Sequence, residues 1–72
     1  MIAVTKEFQF MYPPESRVLI VKTNGGAVTV ECKAGAEWVL TDTYSADTAV
    51  EMFFGSALFR IVPVGGAEYD IA

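Results

Sequence analysis

The side chains able to do chemistry in this 72-residue chain are few: nine carboxylates, five Lys or Arg, one thiol and no histidine. Nucleophilic catalysis needs an activated nucleophile with a base beside it, and without histidine the usual base for a serine or cysteine is missing. Cys32 falls on the parity of Val28 and Val30 in an alternating run, where a thiol packs as a small hydrophobe. Paired carboxylates are the other route, the acid–base chemistry of glycoside hydrolysis. The candidates Glu31, Glu37, Glu51, Glu68 and Asp70 fall at outward positions of predicted strands, and a solvated face accounts for them. Asp42 and Asp47 flank a loop but lack the glycine-bearing ligand loop of a calcium site, so turn capping is their expected role. Gly25-Gly26 and Gly65-Gly66 are not followed by the Lys-Ser/Thr pair of a phosphate-binding loop and read as turns. A single cysteine builds neither an intrachain disulfide nor a cysteine-rich zinc site. No catalytic residue, cofactor or metal is expected.

What the chain must position is therefore surface. Valine and isoleucine far outnumber leucine, which occurs only as Leu19, Leu40 and Leu58, and threonine adds further β-branching. Branched side chains lose rotamer freedom in a helix and pack well on a pleated surface. Turn signals recur at Tyr12-Pro13-Pro14-Glu15, Thr23-Asn24-Gly25-Gly26, Lys33-Ala34-Gly35-Ala36, Thr41 to Asp47, Phe54-Gly55-Ser56 and Val64-Gly65-Gly66. Short apolar runs punctuated at about 8–12 residues mark an all-β sandwich or barrel. Strands are predicted at 5–11, 17–23, 27–33, 37–41, 48–54, 58–63 and 67–71, six or seven antiparallel strands in a single domain spanning 1–72. Residues 1–16 form its N-terminal strand or arm and 17–72 its core. Arg17 to Lys33 reads as a hairpin closed by Asn24-Gly25-Gly26, which tolerate positive φ. Leu58 to Ala67 echoes it about forty residues on.

Ser45 to Phe54 fits two templates. As a strand it sets Val50, Met52 and Phe54 on one face. As a helix it aligns Ala46, Ala49, Val50, Phe53 and Phe54 between Ser45 and Gly55. The strand is preferred, because the helix would be short and its flanks are β.

Composition limits the partners. Charged residues make up 19% against a usual level of about 25%, and 53% of residues are hydrophobic, so the chain is not disordered. A net charge of −4 gives phosphates nothing to neutralise them, which argues against nucleic acid. No run approaches the ~18 apolar residues of a membrane span. The opening Met1 to Glu7 lacks the basic start and apolar stretch of a signal peptide, and a lone thiol fits a reducing cytoplasm or a particle assembled there.

Size and patterning together point to association. Below roughly 70–80 residues one core seldom supplies more than about 3–5 kcal/mol, and this chain has neither disulfide nor metal to add. Val18-Leu19-Ile20-Val21, Val50 to Phe54 and Leu58 to Val62 are apolar on both faces, although a small sandwich should wet one face of each strand. Either they are central strands of a closed barrel or their outer faces meet other subunits, and the second reading is preferred. The interface candidates are Phe8, Phe10 and Tyr12 of the N-terminal arm with Leu19, Val21, Phe53, Phe59 and Ile61. Trp38 is expected to plug the core, with an interface rim as its alternative, and Arg60 to pair with Glu51 or with a neighbouring subunit. A separate reading is a β-sandwich binding module that recognises carbohydrate through Trp38 and Tyr44, or else a host protein.

Three stretches carry a resemblance: Gly25-Gly26-Ala27-Val28-Thr29-Val30-Glu31, then Gly35-Ala36-Glu37-Trp38, then Phe59-Arg60-Ile61-Val62-Pro63-Val64-Gly65-Gly66-Ala67. Over roughly residues 17–71 the chain resembles small β-rich structural proteins of tailed bacteriophages. The resemblance implies a non-enzymatic virion component of the capsid-decoration or fibre-base type, often trimeric. Its partners would be copies of itself and other virion proteins, with no nucleic acid and no membrane, and its location would be the virion assembled in the host cytoplasm.

Overall fold

Each predicted apolar run becomes a strand in the computed structural model: β1 (Lys6–Gln9), β2 (Glu15–Lys22), β3 (Ala27–Ala34), β4 (Glu37–Tyr44), β5 (Thr48–Phe54), β6 (Leu58–Val64) and β7 (Glu68–Ile71). The structure describes residues 1–9, 15–54 and 57–72, with the side chains of 15, 53 and 54 outside that description. No helix occurs among the described residues, and the ambiguous segment is strand from Thr48. β4 runs on to Tyr44, three residues past the predicted end, because a bulge absorbs the turn-like Thr41. The ladder shifts between Val30 and Glu31, leaving Thr41 unpaired, and its hydroxyl donates to the Val30 carbonyl at 2.8 Å.

The strands form two antiparallel sheets, one ordered β1-β6-β3-β4 and the other β5-β2-β7. That order corrects the expected Arg17–Lys33 hairpin. β2 pairs with β5 and β7, whereas β3 pairs with β4 and β6. Asn24 and Gly25 do make a tight turn, with φ of 49° and 88° and a 2.7 Å bond from Gly26 N–H to the Thr23 carbonyl. The chain leaves that turn in the other sheet. Gly65 and Gly66 repeat the geometry between β6 and β7, with φ of 65° and 88°. The two corners stack. Asn24 Nδ2 donates to the Gly66 carbonyl at 3.1 Å, and a Cβ added to Gly26 would overlap the Val64 carbonyl oxygen. The echo is thus a pair of sheet-switching corners packed on each other. Among the described residues, β3 and β4 are the consecutive strands that pair as a hairpin.

The core lies between the sheets. It joins Leu19 and Val21 of β2, Val28 and Val30 of β3, Ile61 of β6, and Ala67 and Tyr69 at β7. Side chains alternate between faces along a strand, so one choice of register decides both sides. In β2 the odd positions point inward, which overturns the expectation that Leu19 and Val21 are interface residues. Ile61 is buried for the same reason. Phe8 and Phe59 are half-buried and pack against the core, Phe8 edge-on to Tyr69 with ring centres 6.3 Å apart. Phe10 and Tyr12 lie outside the described residues, as does the side chain of Phe53.

Residues 1–9 are laid onto the sandwich. Ile2 exchanges both backbone hydrogen bonds with Tyr69, at 2.7 and 3.0 Å, and β1 then pairs with β6. The Tyr69 hydroxyl donates to the Val4 carbonyl at 3.3 Å, while burial pushes its phenol above the ordinary 10.0. This closes the seam between β7 and β6. Among the described residues, the outward edges of β4 and β5 have no partner strand.

Candidate interaction surfaces

Three surface features have a defined geometry. The first is on the outer face of the four-stranded sheet, where β3 and β6 set Glu31 opposite Arg60 and β3 and β4 set Lys33 opposite Trp38. The Arg60 guanidinium binds Glu31 Oε1 through Nε at 3.0 Å and Nη2 at 2.9 Å. It also lies 4.4 Å from the centre of the Trp38 ring, with the Lys33 ammonium at 5.7 Å. A cation held over an indole by a carboxylate is a mutually supporting set. Trp38 is therefore a half-buried outer-face residue, not a core plug, and Arg60 pairs with Glu31 rather than Glu51. Lys33 shares Trp38's face because the two are direct cross-strand partners, and the bulge at Thr41 turns Tyr44 to the opposite face.

The second feature is the outer face of the three-stranded sheet. Val18 and Ile20 are each 37% exposed there, beside Ala49 of β5. The sequence does not separate them from Leu19 and Val21, because Ser16 and Lys22 share the parity of Val18 and Ile20 while Glu15 and Arg17 share that of the buried pair. The third feature is β4 itself, where Val39 is 50% and Leu40 59% exposed on a strand whose outer edge is unpaired among the described residues. An open strand edge with aliphatic side chains is a template for another chain, moderated here by the bulge and by Glu37 and Asp42.

The residues considered for chemistry take structural positions. Asp47 Oδ1 accepts from both Thr23 N–H, at 2.9 Å, and the Thr23 hydroxyl, at 3.0 Å. Those bonds, with Lys22 nearby, hold its carboxyl below the ordinary 3.8. It ties the β4–β5 connection to the first corner, the capping role expected of it. Cys32 is half-buried, on the inward parity of Val28 and Val30. Tyr44 sits opposite buried Val28 and packs on the core, with its phenol raised by burial and then by Asp42. Trp38 and Tyr44 thus occupy opposite faces of one sheet and share no sugar-stacking platform. Among the described residues no cluster of histidine, cysteine and carboxylate side chains is arranged to hold a metal ion.

Searches of protein-family models, curated proteins and solved structures return no match to this chain.

Proposed function

We propose that this chain is a non-enzymatic structural component of a bacteriophage particle, a capsid-decoration or fibre-base type subunit that acts by self-association and by contact with other particle proteins. The observation that carries this reading is aliphatic surface left open on two sides of a very small molecule. Val39 and Leu40 lie along the β4 edge, which has no partner strand among the described residues, and Val18 and Ile20 on an outer face. In a chain of 72 residues one core seldom supplies more than about 3–5 kcal/mol. Association supplies additional burial, and stability then depends on subunit concentration. The absence of histidine and the structural roles of Asp47 and Cys32 fit a subunit whose work is contact. The resemblance to phage structural proteins supplies the setting, a virion assembled in the host cytoplasm, and a trimer as the expected oligomer.

Gradient sedimentation of virions produced from the encoding genome tests the proposal. The chain should band with the particles at a fixed ratio to the major capsid protein. A chain that stays at the top of the gradient at every particle concentration would sink it.

A further inference from the structure

Resting on the reading just proposed, we infer that the outer face of the three-stranded sheet receives a different protein, one presenting aliphatic side chains bordered by Lys or Arg, and not a second copy of this chain. The register fixes what the face displays. Val18 has Glu51 beside it on β5, and Ala72 on its other side through two backbone hydrogen bonds. Ile20 lies between Ala49 of β5 and Asp70 of β7, and Lys22 faces Glu68. The centre is thus aliphatic, and acids stand at both borders. Three carboxylates against one ammonium leave a net −2 on this face, half of the chain's formal −4.

The opposite side of the molecule differs. On the outer face of the four-stranded sheet Glu7 and Glu31 balance Lys33 and Arg60, and Arg60 is already held by Glu31 over Trp38. One outer face is neutral and internally engaged, while the other is acidic around an aliphatic stripe. A second copy docked on the acidic face would bring six carboxylates together against two ammoniums, the like-charge juxtaposition that suppresses wrong partners. A cationic border around an aliphatic centre matches both the apolar stripe and its charge. Self-association then falls to the β4 edge, and this face is left for a second kind of particle protein.

Nuclear magnetic resonance titration of the full chain with two capped hexapeptides, one alternating Lys with Val and one alternating Glu with Val, tests the inference. The Lys–Val peptide should shift the amides of Val18, Ile20, Ala49, Glu51 and Asp70, and the Glu–Val peptide should leave them unmoved. Raising ionic strength from about 0.01 M to about 0.15 M shortens the screening length from about 30 Å to about 8 Å and should weaken the binding. Glu51→Lys with Asp70→Lys, both at exposed positions, should weaken it roughly tenfold. Equal responses to both peptides, no response, or shifts confined to β4 would overturn the inference. So would an Ile20→Thr variant whose sedimenting mass falls below that of the parent, because a second copy would then be covering the face. Failure of the chain to join virions would sink the proposed function, yet leave a charge-selective response at Val18 and Ile20 standing.

Discussion

At the scale of residues, the Arg60 side chain reaches from β6 across two neighbouring strands, since it binds Glu31 on β3 and covers Trp38 on β4. A partly exposed ion pair contributes about 0.2–1 kcal/mol and a surface cation–π contact about 0.5–1 kcal/mol. Arg60→Ala should therefore lower unfolding stability by about 1–2 kcal/mol, while Trp38 emission moves to the red and becomes more open to acrylamide. Glu31→Gln should cost less, because the guanidinium keeps its place over the ring. Equal costs in urea titrations would mean that the ring contact contributes nothing. Asp47 gives a pH-dependent counterpart. Its native carboxyl titrates below the ordinary 3.8, so the folded state favours the ionised form. That stabilisation is complete above 3.8 and is lost as pH falls through the lowered native value. Asp47→Ala should lower the urea midpoint at neutral pH and flatten the decline of stability below 3.8. A variant whose acid decline matches the parent's would show that Asp47 has no part in it.

At the scale of elements, the two glycine corners set the topology, and they respond differently to a methyl group. Gly25 has φ of +88° and open space around its missing Cβ, so Gly25→Ala should cost about 1–2 kcal/mol through backbone conformation alone. A Cβ on Gly26 would overlap the Val64 carbonyl and stand 2.8 Å from the Gly65 carbonyl. Gly26→Ala should cost about 3 kcal/mol or more, enough to unfold so small a domain. Circular dichroism melts of the two variants separate these outcomes, and equal losses would contradict the stacking of the corners. The same corners show where sequence reading stopped. Strand positions were legible from Val, Ile and Thr runs between glycine turns, because those signals are local. Pairing was not, since Asn24-Gly25 makes the same tight turn whether the chain returns beside itself or departs into a second sheet. The long-range neighbours β7 and β6 decide that. The surface was not legible for a related reason: β2 is apolar at both parities in its centre and polar at both at its ends, with Glu15 and Arg17 on one and Ser16 and Lys22 on the other. Trp38 was misplaced because aromatic bulk suggests a core, whereas Arg60 and Lys33 make an outer site for it.

At the scale of the whole molecule, a 72-residue chain holds little stability in reserve. Ile61 is fully buried where β6 meets β1 and β3. Ile61→Ala should cost about 2–5 kcal/mol, comparable to what a domain of this size holds alone. If assembly supplies part of the stability, the melting temperatures of parent and variant alike should rise with protein concentration. Melting temperatures independent of concentration would mean that neighbours contribute nothing. The claim that neighbours cover the open aliphatic surface is met most directly by sedimentation equilibrium of the purified chain across the micromolar range. The mass should be a multiple of 7.8 kDa, reduced to a single subunit by Val39→Lys with Leu40→Lys on the β4 edge. A parent chain that sediments as a lone 7.8 kDa species at every concentration would contradict it.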